Sequence, residues 1–451
     1  MTINSKKDVD RLGDKIRSSI KNIDDDTIIT LQEYRKGFQA PLATVFPLLC
    51  KIAKKIHYSS IATYRLKRFE SIINKLERYP KMRFNRMWDI GGCRIILNSE
   101  KAIYETVEEI DKNPEFEILK KTDYIITPQE DGYKSVHLYI KHKSSDLPIE
   151  IQIRTDKQHN WATLVEITDL VYGTRLKEIG NNAKLKEFHR LLSDVESLTT
   201  REKHYVFNVL NDYKYFKKLN EVFIGNFLEV RKQWVLLESK GNHKYFLIEV
   251  SKDNKPKLTS YPTFEKAEDA YFNLYKTNNS SNIVLTYIQN HSFELLAKAY
   301  ANYVLTSHTF MYDCLAILES LILDYLKNRN FVYLYQTYHF YNEVIFNFHK
   351  KIIKDIEESI DLVFQDVTDK ERGKLRKKSK LWRDDIKNEI EKLNSKRRNF
   401  AINLYRLEGA QTNPFYKSTH EIIFKYCNWK FRRKTNRHLN TSKYWKQNKS
   451  R

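Results

Sequence analysis

Two alternating runs, residues 134–141 and 148–155, are joined by a short polar segment and constrain the fold more than any other part of the chain. Successive side chains of a strand point to opposite faces, so Glu150, Gln152 and Arg154 share one face while Ile151 and Ile153 share the other. Three convergent polar groups are costly to bury without partners and useful to a bound substrate. The two runs therefore predict a hairpin with a site on one face. Around it the pattern reads strand 93–97, helix 104–110, strand 115–119 and a helix starting at Asp156. Helix 71–78 precedes them, and residues 1–60 read as polar helix interrupted at Pro41 and Pro47. That order predicts an α+β fold, a mixed sheet with helices packed on it.

Further polar residues sit upstream of the hairpin. Arg65-Leu-Lys67 leads through Ser71-Ile-Ile-Asn-Lys75 into the helical run, and Asp89-Ile-Gly-Gly-Cys-Arg94 enters the apolar segment 94–97. Gly132-Tyr-Lys-Ser-Val-His137 and Glu150-Ile-Gln-Ile-Arg-Thr155 follow. In this order and spacing the four elements resemble the RelA/SpoT alarmone synthetase family, of the hydrolase-less small-synthetase or toxin-like type, over roughly residues 45–200. The resemblance implies a mostly antiparallel sheet with flanking helices. It also implies transfer of the β,γ-pyrophosphate of ATP to the 3′-hydroxyl of GTP or GDP, with Mg2+ as cofactor. Long members of the family carry a His-Asp hydrolase domain; this sequence has no His-Asp dipeptide, so product hydrolysis is not expected of it.

Each residue can be weighed for what its chemistry allows. Arg65, Lys67 and Lys75 offer three cations and Ser71 a hydroxyl, as holding a polyphosphate requires. Read alone they suit a solvated basic helix equally well; the resemblance assigns them to ATP. Asp89 and Glu150 are the expected metal-binding and catalytic carboxylates. Mg2+ takes one or two protein carboxylates together with phosphate oxygens, and an attacking hydroxyl needs a proton acceptor. Asp89 would also suit a cap before a Gly91-Gly92 turn, and Glu150 a charge on an edge strand. Arg94 joins the expected catalytic set because its planar fork grips phosphate oxygens. Tyr133 follows a glycine and presents a ring for a base, a contact worth about 1–3 kcal/mol in nucleic-acid sites; the resemblance puts the acceptor base there. His137, Gln152 and Arg154 are expected around the acceptor, with Arg154 equally suited to a structural ion pair.

Composition narrows the class. The chain holds 11 Gly in 451 residues, where ordinary usage of about 7% would give roughly thirty. Its glycines at 91, 92 and 132 are therefore expected where backbone geometry demands them. The length suggests two or three domains. Cys50, Cys93, Cys314 and Cys427 are widely spaced, which argues against a zinc site or a disulfide framework and fits a cytoplasmic protein. Residues 1–26 show no signal peptide, and no apolar run nears the ~18 residues of a membrane span, so no membrane partner is expected.

Beyond the synthetase-like part, residues 187–220 read as helix. Runs 233–237, 244–250 and 282–287 read as strands around a helix at 263–275, with turns at 241–243 and 278–281. Residues 308–407 read as almost entirely helical. The expected domains are thus a helical segment 1–60, a pyrophosphotransferase domain 61–200, a small α/β module 201–305 and a helical region 306–451 ending in a basic tail. Residues 371–451 hold 24 Lys+Arg against 7 Asp+Glu, nearly all of the chain's net charge of +22. Trp382, Phe415, Tyr416, Tyr426, Trp429, Phe431 and Trp445 are interleaved with those cations, most densely at 430–434 and 443–446. Such a stretch suits tRNA or other RNA, and equally a solvated basic helix.

Two departures bear on the acceptor. The family commonly has Pro-Lys-x-Asn before Gly-Tyr, whereas this chain has Pro128-Gln-Glu-Asp131, and the pattern Leu-Glu-His becomes Leu164-Val165-Glu166. Residues 101–150 carry 7 Lys+Arg against 11 Asp+Glu, which would repel an acceptor bearing several phosphates. The acceptor stays open between a guanine nucleotide, an adenosine nucleotide and the 3′ end of tRNA. A non-catalytic, nucleotide-sensing RNA-binding protein is a further alternative, and the resemblance leaves room for an antitoxin or a second copy of the chain as partner.

Overall fold

The computed structural model describes residues 5–67, 69–174, 176, 182–237, 243–250, 256–277, 282–288, 292–299, 307–363, 368–409 and 413–441. Arg68, most of the expected 241–243 turn, the whole 278–281 turn and the basic stretch 443–446 lie outside them. The backbone divides into two compact units, Met1–Thr163 with Glu229–Leu305, and Leu164–Leu228 with Thr306–Arg451.

The first unit opens with helices α1 (Lys6–Ser18), α2 (Asp25–Lys36) and α3 (Gln39–Ile56), then β1 (Ile61–Leu66) and α4 (Phe69–Arg78). There follow β2 (Gly91–Leu97), α5 (Glu100–Asp111), β3 (Phe116–Asp123), β4 (Val136–His142), β5 (Ile149–Thr155) and α6 (Asp156–Tyr172). Local chemistry sets several starts: Ser5, Asp24 and Ser99 each accept a backbone N–H at the head of α1, α2 and α5. Pro41 and Pro47 do not interrupt the N-terminal helices as expected; both are accommodated within α3.

Residues 187–220 form not one helix but α7 (Ala183–Leu192), α8 (Thr200–Asp212) and the start of α9 (Tyr215–Leu237), with Thr199 and Glu202 closing a reciprocal cap on α8. The run 233–237, expected as a strand, is the last turn and a half of α9. A run this short, with four consecutive apolar residues after Gln233, does not distinguish a strand from a buried helix. The chain then returns to the first unit with β6 (Tyr245–Val250), β7 (Lys257–Tyr261), α10 (Phe264–Thr277), β8 (Asn282–Tyr287) and α11 (Phe293–Ala299).

The eight strands form one sheet in the order β3-β4-β5-β2-β1-β8-β6-β7. Among the described pairings β2 runs parallel to β5 and all others are antiparallel. The strands expected as a separate module thus extend the synthetase-like sheet through β8, which pairs Ala62 with Tyr287. One face of the sheet is core: Tyr64, Cys93, Ile95, Leu138, Ile151 and Ile153 pack with Phe46 and Leu49 of α3, Ile103 of α5 and Tyr271 of α10. Gly91 is a strand residue rather than part of a turn. A Cβ there would meet Ile149 Cδ1 at 2.8 Å and Phe38 Cδ1 at 2.9 Å, so close packing requires glycine.

The second unit is helical. To the segments above it adds α12 (Ser307–Lys327), α13 (Phe331–Val363), α14 (Asp369–Gly409) and α15 (Pro414–Thr441). Leu315, Leu318, Tyr338, Tyr341, Ile345, Leu404 and Phe424 form its core.

Candidate active site

The face of the sheet opposite the core carries polar residues in register. One row across it reads Lys120, Tyr139, Glu150, Gly92 and Arg65, and the next reads Thr122, His137, Gln152, Arg94 and Thr63. Parity produces this: a strand partner shares its neighbour's face, so one correct register aligns all five strands. Glu150 therefore lies in the middle of the sheet, not on an edge strand.

Two clusters form on this side. In the first, Lys67 Nζ and Lys75 Nζ both donate to Asp89 Oδ2 at 2.8 Å. Arg65 points outward from β1 beside them, and Ser71 sits in the first turn of α4 on the face of Lys75. Burial alone would raise the Asp89 carboxyl, but the two ammoniums outweigh it and hold it at about 2. Lys67 gains less from the pair. Its burial, with Lys75 and Arg65 close by, keeps its ammonium below the ordinary lysine range despite Asp89. Three cations around one carboxylate leave positive charge in surplus, which an added polyanion would relieve.

The second cluster is built on Glu150. Tyr139 donates to Oε1 at 3.0 Å, His137 Nδ1 lies 3.1 Å from the same oxygen, and Gln152 Nε2 donates to Oε2 at 3.0 Å. Burial raises the Glu150 carboxyl; the hydrogen bond and charge of His137, with help from Tyr139, outweigh it and bring it below its ordinary value. Arg94 Nη2 donates to Gln152 Oε1 at 3.4 Å. The other His137 nitrogen, Nε2, is 2.8 Å from the Tyr133 hydroxyl, so a chain of hydrogen bonds runs from Tyr133 through His137 to Glu150. The Tyr133 ring is half-buried against Tyr124 and Trp161, and Gly132 before it has φ 90°, a left-handed conformation that favours glycine. Arg154 is buried and acts electrostatically on the Tyr133 hydroxyl.

The expected donor residues Arg65, Lys67, Ser71 and Lys75 thus meet in one cluster, and the expected acceptor residues in the other. Four contributors carried weaker signals. Tyr139 shares the parity of His137 and was legible on that ground. Trp88, whose ring packs 5.8 Å from Tyr139, adjoins Asp89 in sequence. Arg35 donates to the Lys67 carbonyl at 2.6 Å from a distant helix, and no local pattern announces it. Asp131, read as a source of repulsion, accepts the Tyr133 N–H at 3.0 Å and shapes the turn.

The carboxylates suit Mg2+ in one respect. Asp89 Oδ1 is buried and accepts no hydrogen bond from the described residues, and the Asp89 charge bears on Glu150. No cluster of three or more His, Cys, Asp or Glu able to hold a metal occurs among the described residues. Two carboxylates fit an ion shared with phosphate oxygens and not a closed structural site.

The model for the region found in RelA / SpoT proteins matches residues 64–175, which span both clusters. GTP pyrophosphokinase YwaC of Bacillus subtilis (strain 168) is 33% identical over 159 residues, 32% of this chain and 75% of that protein. GTP pyrophosphokinase YjbM of the same organism is 30% identical over 124 residues, 26% of this chain and 59% of that protein. Among solved structures, small alarmone synthetase 1 from Bacillus subtilis bound to its product pppGpp is 29% identical, covering 30% of this chain and 70% of that one with a TM-score of 0.27. No helix among the described residues is long and apolar enough to cross a membrane.

Proposed function

We propose that this chain, which belongs to the RelA/SpoT family, moves the β,γ-pyrophosphate of ATP onto the 3′-hydroxyl of GTP or GDP, giving (p)ppGpp-type alarmones. The observation that carries the reading is the pairing of a cation-rich cluster around Asp89 with a buried, ionised Glu150 on the same sheet face. Arg65, Lys67, Lys75 and Ser71 would hold the triphosphate. Glu150, aimed by His137, Tyr139 and Gln152, would accept the proton of the acceptor hydroxyl as its oxygen bonds to the β-phosphorus. The bond from that phosphorus to the α,β-bridging oxygen breaks and AMP leaves. Arg94 would meet charge on the transferring group. Asp89 and Glu150 would hold Mg2+, which when bound neutralises phosphate charge. Tyr133 would stack on the acceptor base.

One observation favours a second acceptor class. Glu130 and Asp131 put negative charge beside Tyr133, which an acceptor with few phosphates near its base tolerates better. The 3′ end of tRNA, whose terminal adenosine bears no polyphosphate of its own, meets that description, whereas among adenosine nucleotides only AMP does. Thin-layer analysis of products from ATP labelled in the γ-phosphate, with GDP, GTP, ATP or tRNA supplied in turn, tests both. Label moving to GDP or GTP with matching AMP release supports the main reading; transfer to tRNA alone selects the second, and transfer to ATP alone selects an adenosine acceptor on grounds other than charge. Release of label to none of the four defeats the proposal.

A further inference from the structure

In the described part of the basic C-terminal region some cations are engaged by neighbouring side chains and others line a groove. Lys430 Nζ lies 2.7 Å from His339 Nε2 and Lys434 Nζ 2.6 Å from Glu343, so both are engaged on one side of α15. Phe431 is buried and takes no part at the surface. Further cations line a groove of about 470 Å³ between α14 and α15. Arg397, Arg398, Arg432 and Arg433 contribute to it, together with Tyr405, Trp429 and Lys425, the last paired with Glu421, and no carboxylate is among its described lining residues.

Arg397 is the telling residue. It is only 7% exposed, its Nη1 is held by the Asn342 and Asn428 side-chain oxygens at 3.0 and 2.9 Å, and its guanidinium lies 4.0 Å over the Phe431 ring. Neither it nor Arg398, Arg432 or Arg433 forms an ion pair with a carboxylate among the described residues. A buried cation without a counter-ion is costly, and three more guanidiniums at the same groove raise that cost. An anion in the groove would offset it. Guanidiniums grip phosphate oxygens in pairs. Trp429 is 54% exposed, with the Arg433 guanidinium over its ring 5.3 Å from the centroid and Tyr426 tilted against it at 6.2 Å, so an aromatic surface is offered beside the arginines.

We propose that the groove between α14 and α15 binds a single-stranded nucleic acid, with phosphates on the four arginines and a base on Trp429. Charge alone would admit any polyanion; an exposed indole within the arginine set is what favours a strand with unstacked bases. Duplex would keep its bases from Trp429.

The test uses the full chain and short fluorescein-labelled oligouridylate, followed by anisotropy between about 50 and 200 mM salt. Replacing the exposed Arg398, Arg432 and Arg433 by Ala should weaken binding by more than about tenfold and lower the slope of log affinity against log salt by about 2, roughly 0.7 for each phosphate no longer neutralised. Trp429→Ala should weaken binding about five- to hundredfold while leaving that slope unchanged. If the triple variant melts early, Arg→Lys at the same positions keeps the charge, and a weaker affinity there supports the same paired grip on phosphate. Oligothymidylate binding as well as oligouridylate would mark the site as indifferent to the sugar, and weaker oligothymidylate binding would mark it as selective for RNA; either supports the proposal. Unchanged affinity in the arginine variants overturns it. So does equal binding of inorganic polyphosphate together with an unaffected Trp429→Ala, which would leave a plain polyanion site.

Discussion

Glu150 concentrates the chemistry because three side chains spend their hydrogen bonds on one carboxylate. Glu150→Gln keeps the volume but removes the charge that those donors stabilise and the proton acceptor. Transfer should fall by several orders of magnitude with the circular dichroism unchanged; a folded variant working at near the wild-type rate would refute the assignment. Asp89→Asn should also lose transfer and respond less to Mg2+, since the buried Oδ1, without a partner among the described residues, would no longer belong to an anion. The pH profile adds an independent check. The folded carboxyl of Glu150 is lowered, so it stays ionised as pH falls below the ordinary glutamate range, and the acid limb of the rate profile should lie below it. His137→Ala removes the main opposing influence on burial and should shift that limb upward. Tyr133 has two separable parts. Tyr133→Ala should raise the acceptor KM by about five- to hundredfold, the worth of a stacked base, and leave the ATP KM nearly unchanged. Tyr133→Phe keeps the ring but ends the hydrogen bond to His137, so it should lower kcat instead. Lys67→Ala should raise the KM for ATP alone, and a variant of either residue acting on the other's substrate would show the division of the site to be wrong.

At the scale of elements, the parts read best from sequence were those with one dominant period. The hairpin β4–β5 was legible because Ile151 and Ile153 alternate with Glu150, Gln152 and Arg154, and burial follows that alternation on the core side. Strand β1 was missed because Ile61, Ala62, Thr63, Tyr64 and Leu66 are all buried and only Arg65 is exposed; a strand covered on both faces shows no period. Its cations were therefore read as the start of a helix, although Arg65 is on the strand and α4 begins only at Phe69. The candidate site residues follow from order and spacing, which this difference in secondary structure does not alter. Helix α10 carries a cost that no periodicity reveals. Glu268 is 7% exposed with Oε1 unpartnered among the described residues, and burial, with Asp269 and Glu265 nearby, raises its carboxyl from 4.5 to about 7. Below pH 4.5 it is protonated in the folded and the unfolded chain, so it costs nothing. As pH rises to about 7 the unfolded chain ionises first and stability falls; above that the cost is constant. Glu268→Gln should therefore raise Tm above pH 7 and change it little below pH 4.5. A gain that stayed the same at both pH values would point to packing instead.

At the scale of the whole molecule, the sheet is discontinuous in sequence, and this is what local patterns could not convey. Strands read as a separate module pair directly with the strand that begins the site: Thr286 Oγ1 donates to the Ala62 carbonyl at 2.9 Å, and the Leu66 N–H donates to the Tyr271 hydroxyl at 2.8 Å. Tyr64 packs its ring 5.3 Å from Tyr271 and 6.1 Å from Phe264, with Phe46 of α3 closing the group at 4.9 Å. Deleting residues 411–451 to remove basic charge would likewise strip Phe424, Cys427 and Phe431 from the core of the helical unit, which is why the groove is better tested by surface substitutions. The same reasoning makes the domain boundary at residue 200 testable. A fragment ending there retains every candidate catalytic residue and all four motifs, yet it loses β6, β7, β8 and α10. Its β1 would become an edge strand with an exposed backbone row and the buried side chains Ala62 and Tyr64 uncovered, a template for aggregation. We predict that residues 1–200 expressed alone bind a hydrophobic dye, lack a near-ultraviolet circular dichroism signal and transfer no pyrophosphate, while the full chain does the opposite. A soluble fragment with sharp cooperative melting and full activity would mean that the strands after residue 229 decorate the sheet and do not complete it.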